Sequence, residues 1–542
     1  MNRNMNSHFA YNPTRIDISR STFDRNQPIL STGNAGKLIP FYVDEYLPGD
    51  TFSIDTSALI RMTTPVHPLM GDIFADIYYF SVPRRLVWQH WKEFMGENTQ
   101  GAWAPEVEYE IPQLTAPVGG WSKGSLADYL GFPTEVENIS VDACYARAYG
   151  LIYNEWFRDQ NVADPVYVPL GDATTEGKDV GGDYITDAVA GGELCPVFKF
   201  HDYFTSVLPE PQKGEGVELP LSLEGISIAN DGNFYFSFNN QELASPGNIT
   251  SGATDTDDLI PVLAPSGSPS GVSNVFYDSG LRVDIPQNTI PTINDLRLAF
   301  QLQKLLERDA RGGSRYRELL LSHFGVTSPD ARQQVPEYLG GKRIRINVTQ
   351  VLQTSATNDV SPQGNTAAYS LTSDVSDSFT ASFTEHGIIM GLICFRTTHA
   401  YQQGIERIFS RKSRYDFYWP VLANIGEQAV KRKEIYADGT AADEDSFGFQ
   451  EAWAEYRYKP AKVTGAFRSN YDQSLDVWHL ADYYEEPPAY SPSWLAETTA
   501  NLDRTLAVPS SVEDQFIYNI YVVNKSTRPM PMYSIPGLVD HH

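Results

Sequence analysis

Histidines, cysteines and paired carboxylates are where catalysis would have to sit in this chain, and none of them is spaced for it. His541-His542 could ligate a metal, but a solvated chain end accounts for the pair. His386, His399 and His479 stand isolated among aromatic and hydroxyl residues, which reads as satisfied structural histidines. Cys144, Cys195 and Cys394 are far apart and form neither a C-x-x-C pair nor a zinc spacing. Cys394 lies inside an apolar run and reads as a buried free thiol; such cysteine usage suits a reducing compartment. The 68 acidic residues would permit a glycosidase pair, but two carboxylates among so many single out nothing. There is no G-x-G-x-x-G at a strand-to-helix turn, no Walker A, no H-E-x-x-H and no G-x-S-x-G. No catalytic, cofactor-binding or metal-ligating residue is therefore assigned.

The chemistry that remains is contact chemistry. From Glu385 the chain runs through an apolar stretch, Ile388 to Phe395, to an aromatic knot, Tyr415-Asp416-Phe417-Tyr418-Trp419-Pro420, and then to the triplet Lys431-Arg432-Lys433. Rigid aromatics give large contact area at small entropic cost, so the knot is either deep core or a subunit contact. From Lys304 to Arg345 nine basic residues, Arg308 and Arg311 among them, are interleaved with five acids. A mixed run of that kind reads as a salt-bridged or interface surface rather than a nucleic-acid site.

Strands must position most of this. Ile388–Phe395 is too short to span a bilayer but has the length of a strand buried on both faces. Ile73 to Val82 alternates Ile73, Ala75, Ile77 and Tyr79 against Phe74, Tyr78 and Phe80, again apolar on both sides apart from Asp76. Strands are also expected from Phe52, over Glu451–Tyr458 and over Phe516–Val522. Helices are expected over Arg84–Met95, from an Asp142 cap to Asp159, over Thr292–Arg311, and from a Ser314 cap to His323. In the last pair Leu298, Leu302, Leu305 and Leu306 share one face, and Gly325 ends the final helix.

Four segments follow. Residues 1–48, with Arg25, read as an extended arm, either reaching a neighbour or polyanion or strapped over the chain's own core. Residues 49–208 and 291–542 carry the β-rich core with helical insertions, the second part ending in a proline-rich extended tail. Between them, 209–290 holds eleven acids against Lys213 and Arg282 and reads as a folded insertion. Within it Ile226 and Ile228, Asn230-Asp231-Gly232, and Phe234, Phe236 and Phe238 spell a hairpin with three phenylalanines on one face.

A chain of 542 residues can bury a large core, and its 31 Tyr, 27 Phe and 9 Trp suit short strands or extensive interfaces. A net charge of −27 is the wrong sign for a chain that binds nucleic acid overall, so such contact would have to come from local basic patches or a separate basic partner. Polar residues follow Met1, which predicts no signal peptide, and no apolar run is long enough for a membrane span.

Ordered motifs run nearly end to end. They include Asn34-Ala35-Gly36-Lys37-Leu38-Ile39-Pro40, Tyr153-Asn154-Glu155-Trp156-Phe157-Arg158-Asp159-Gln160 and Arg308-Asp309-Ala310-Arg311-Gly312-Gly313. Phe383-Thr384-Glu385-His386-Gly387, Ala454-Glu455-Tyr456-Arg457-Tyr458-Lys459-Pro460 and Arg528-Pro529-Met530-Pro531 continue the series. In these the sequence resembles the major capsid proteins of the Microviridae, most closely the gokushovirus branch; residues 209–290 show no such match.

The resemblance implies a mainly β viral jelly roll, two antiparallel sheets with long insertions containing short helices and a surface protrusion. It implies a non-enzymatic virion subunit, assembled in the host bacterial cytoplasm into a T=1 icosahedral shell around circular single-stranded DNA. A small basic DNA-binding protein of the virus and a host surface receptor are the implied partners, with no membrane. The candidate DNA-facing residues are Arg25, Arg411, Lys412, Arg414, Lys431, Arg432 and Lys433. Arg308, Arg311, Tyr415, Phe417, Tyr418 and Trp419 are the subunit-contact candidates, and Phe234, Phe236 and Phe238 the protrusion candidates. The alternative from another class is a β-rich glycan-binding protein or glycosidase, against which the absent export signal speaks.

Overall fold

The computed structural model describes residues 19–101, 107–173, 191–217, 227–230, 235–238, 241–242, 275–278, 281–284, 292–355, 363–364, 366–375 and 378–533. The chain divides into two compact units, residues 1–211 with 309–542, and residues 212–308.

The larger unit is built on the apolar run. Strand Gly387–Thr397 lies inside a four-stranded antiparallel sheet in the order Glu337–Arg345, Ile73–Pro83, Gly387–Thr397, Leu38–Tyr46. Side chains of a strand alternate between faces. Ile389, Ile393 and Phe395 therefore enter one core, while Ile388, Met390, Leu392 and Cys394 enter another, all with no exposed surface. Each such aliphatic or aromatic side chain contributes roughly 1.5–3 kcal/mol by leaving water. The neighbouring strand divides as its alternation predicts: Ile73, Ala75, Ile77 and Tyr79 go to the first core, Phe80 and Val82 to the second.

The first core is closed by a second antiparallel sheet. Phe516–Arg528 pairs along its length with Thr51–Met62; Ser21–Asp24 and Gln27–Gly33 flank the former, and Thr372–Val375 and Phe379–Ser382 the latter. Phe52, Ile54, Ala58, Ile60, Phe516, Tyr518 and Ile520 face inward from it. The Phe395 and Phe516 rings stack across the gap at 4.1 Å. The second core is closed by helix Cys144–Ile152, through Ala146, Tyr149 and Ile152, with Trp88, Trp91 and Trp121. All three cysteines are buried and free.

Five sequence expectations change. Residues 21–46, read within an extended arm, form three strands of the chain's own sheets; residues 1–18 of the arm lie outside the described residues. Arg84–Met95 is broken into a 3-10 turn, Arg84–Leu86, and one helical turn, Trp91–Phe94, because the buried Arg84 turns to Glu45 and Asp142. The strand expected over Glu451–Tyr458 stops at Glu451: Trp453 takes a left-handed backbone (φ 67°), and its indole N–H donates to the Leu422 carbonyl at 2.9 Å. Arg315, not Ser314, stands at the N-cap of helix Tyr316–Phe324, with its backbone N–H donating to the Glu318 carboxylate. Gly325 (φ 67°) ends that helix in the left-handed conformation glycine favours.

The fifth change lies in the smaller unit. Strand Ser227–Asn230 pairs with Leu281–Asp284, and Tyr235–Phe238 pairs with Gln241–Glu242 and Val275–Asp278. Among the described residues the two strands on either side of Asn230-Asp231-Gly232 belong to different sheets and do not form the expected hairpin. Helix Ile293–Gly312 opens on a reciprocal cap, in which Thr292 Oγ1 accepts from Asp295 N and Asp295 Oδ2 accepts from Thr292 N. Among the described residues no helix is long and apolar enough to cross a membrane.

Candidate interaction surfaces

The aromatic knot is surface. Tyr415 is 62% exposed, Phe417 50%, Tyr418 45% and Trp419 51%. No sheet holds this stretch; it is a succession of 3-10 turns, Arg407–Phe409, Arg414–Asp416 and Pro420–Leu422. Local bonds fix it nonetheless. Asp416 accepts from the backbone N–H groups of Lys412 and Ser413 at 2.7 and 2.6 Å, contacts that lower its carboxyl pKa. The Trp419 indole donates to the Arg414 carbonyl at 2.9 Å. Tyr418 meets the buried Trp453 edge-on at 5.7 Å. The result is aromatic area held in place yet left open, the composition that distinguishes the centre of a protein interface.

The candidate cations are mostly satisfied within the chain. Arg25 binds Asp44 through two bonds of 2.6 and 2.8 Å. Arg411 donates to Glu455 at 3.3 Å, with its guanidinium over the Phe417 and Tyr456 rings. Lys431 and Lys433 share Glu444, and their bonds hold its carboxyl down at about 2. Arg432 joins Asp438 and Asp443 at 2.8 and 3.2 Å. Arg414 bonds the Tyr415 hydroxyl and lies over its ring, and Lys412 is exposed; among the described residues neither forms an ion pair with a carboxylate.

Arg311 is tied to Glu427 and Glu451, and Arg308 is exposed. Phe234 lies outside the described residues; Phe236 and Phe238 belong to strand Tyr235–Phe238, whose side chains are also outside them. The mixed run from Lys304 to Arg345 is salt-bridged: Arg315 to Glu318, Arg317 to Asp330, Lys342 to Asp374 and Arg345 to Asp72.

Two buried charge clusters were not singled out from the sequence. Asp76, the one charge in its strand, receives both Arg343 and Arg396. A carboxylate in an otherwise apolar buried strand was the available signal, because a buried charge must find a partner. His399 is not isolated: Nδ1 lies 2.9 Å from Asp482 and Nε2 3.0 Å from Glu497, with Lys199 3.3 Å from Asp482. Burial opposes the charge on His399, but the two carboxylates outweigh it and raise the imidazole to about 9. Among the described residues no group of three or more His, Cys, Asp or Glu is placed to hold a metal ion.

The described residues thus combine a β-rich frame, a fixed and open aromatic surface, and candidate cations most of which are paired with carboxylates of the same chain. The chain belongs to the capsid protein (F protein) family of phages, whose pattern matches residues 13–538. It is 40% identical over 537 residues to the capsid protein VP1 of Bdellovibrio phage phiMH2K, covering 98% of this chain and 97% of that one. It is 39% identical to the capsid protein VP1 of Chlamydia phage 1, over 98% of each chain, and 39% identical to that of Spiroplasma virus 4, over 96% of each. The resemblance to gokushovirus capsid proteins holds, and the chain is a structural, non-enzymatic capsid protein.

Proposed function

We propose that this chain folds its two main sheets as a viral jelly roll and closes a T=1 icosahedral shell around circular single-stranded DNA. The open aromatic stretch from Tyr415 to Trp419 supports the proposal most, because a contiguous exposed apolar patch marks a surface that other molecules cover. Arg308 and Arg311 extend the subunit contact.

A net charge of −27 means that the chain needs help with phosphate, which a small basic viral protein would supply. Of the seven candidate DNA-facing cations, Lys412 and Arg414 are the readiest, being without a carboxylate partner among the described residues. Arg25, Arg411, Lys431, Arg432 and Lys433 would have to exchange a carboxylate for phosphate. The acidic insertion, residues 209–290 with Phe234, Phe236 and Phe238, is the proposed protrusion and host-attachment element. Buried free thiols fit assembly in the host cytoplasm.

The contact role is tested with Phe417→Ala and Trp419→Ala together. Both side chains are half exposed in the single chain, so the subunit should stay folded, with its thermal midpoint within a few degrees of the parent. Particle yield should fall at least tenfold by sedimentation. Normal shells from this variant would remove the aromatic stretch from the contact.

A further inference from the structure

We propose that a cavity in the larger unit, lined by Arg315, Arg343 and Arg396, binds nucleotides of single-stranded nucleic acid. The inference deepens the reading that the shell encloses such a strand, and it rests on that reading.

The cavity has a volume of about 700 Å³, within the range of small-ligand sites. Its lining is rich in cations for a chain whose net charge is −27. Arg158, Lys199, Arg311, Arg315, Arg343 and Arg396 stand there beside Asp159 and Glu318, with Asp482, Glu427, Glu155 and Asp76 as further partners of Lys199, Arg311, Arg315 and the Arg343–Arg396 pair. Sequence distance hides this cluster, since its cations come from five separate segments.

The cations are fixed rather than loose. Arg343 and Arg396 both bind the buried Asp76, and their guanidinium carbons flank the Phe200 ring at 4.4 and 4.2 Å. One carboxylate thus holds two guanidinium groups, and Arg343 keeps 51% of its side chain exposed. Arg315 donates to the backbone carbonyls of Asn154 and Arg158 at 2.5 and 3.1 Å, which ties it to the segment that carries Arg158. Burial first, and then the Arg315 charge, lower the Arg158 pKa.

Aromatic faces alternate with the charges. Trp156, Phe157, Phe200 and Tyr338 line the same space, Tyr338 43% exposed, and Arg317 packs over Trp156 at 4.1 Å from the ring centre. Fixed cations alone would suit any polyanion, and aromatic faces alone any apolar ring. The two interleaved match a strand of phosphates carrying stacked bases, and they do so without reading sequence.

The test uses the purified full-length chain and a bromodeoxyuridine decanucleotide, with ultraviolet crosslinking and peptide mass spectrometry. Crosslinks on the peptides containing Trp156–Phe157, Phe200–His201 or Tyr338 are expected. Crosslinks confined to the 405–433 stretch would overturn this assignment and leave the enclosed-DNA reading standing. No crosslink anywhere, either here or in genome-filled particles, would sink both. By fluorescence anisotropy, Arg343→Gln and Tyr338→Ala should each weaken oligonucleotide binding about tenfold. Arg396 keeps Asp76 paired in the first variant, and Tyr338 is substantially exposed, so a shared fold is checked by circular dichroism. If inorganic polyphosphate or an acidic peptide competes as well as the oligonucleotide and Tyr338→Ala changes nothing, the site is not one for nucleotides.

Discussion

Two buried carboxylates face His399 from opposite edges of its ring, Asp482 at Nδ1 and Glu497 at Nε2. Lys199, the Tyr484 hydroxyl and the Asn501 amide also bond Asp482, and the Thr397 hydroxyl bonds Glu497. With His399 protonated, two positive and two negative charges balance. Because its folded pKa stands at about 9 against an ordinary 6.5, protonation stabilises the fold fully below pH 6.5, and that contribution is lost as pH rises through 9. A difference of this size amounts to about 3 kcal/mol. Denaturant unfolding of the dissociated subunit should therefore show stability falling between pH 6.5 and 9.5, with His399→Gln weaker at pH 6 and flat across that window. An unchanged parent over the same range would contradict the assignment.

At the scale of elements, the strand Gly387–Thr397 admits no extra atom at its start. A Cβ on Gly387 would lie 2.1 Å from the Tyr46 ring and 2.7 Å from the Val82 carbonyl oxygen. Gly387→Ala should cost about 1–3 kcal/mol by overpacking, measured as a lowered denaturation midpoint. Gly171→Ala, with nothing within 4 Å of the added atom, should be near neutral. Equal midpoints for the two variants would refute this packing. The strand was legible in sequence because both of its faces are apolar, a property that survives without knowing its neighbours. The stretch after Glu451 was not, since alternating residue types look like a strand whether or not Trp453 adopts a left-handed backbone. The Asn230-Asp231-Gly232 signal pointed to the wrong strand partners, because Leu281–Asp284 and Val275–Asp278 arrive from much later in the chain. Nothing local links Asp76 to Arg343 and Arg396, which lie 267 and 320 residues away.

For the whole molecule, charge and exposed surface argue together. A chain with 68 acids and 41 basic residues spends most of its candidate cations on its own carboxylates, while its rigid aromatics stay open. That favours contacts driven by apolar burial, with charge setting solubility and partner choice. The proposed division of labour predicts that deleting Gly216 to Gly280 spares shell formation and abolishes adsorption to host cells. Failure to assemble after this deletion would make the insertion structural instead. The most direct measurement is electron microscopy of the purified, concentrated full-length chain. Uniform small icosahedral particles are the expected result, whereas a folded monomer that never associates under any buffer or concentration would contradict the account at its root.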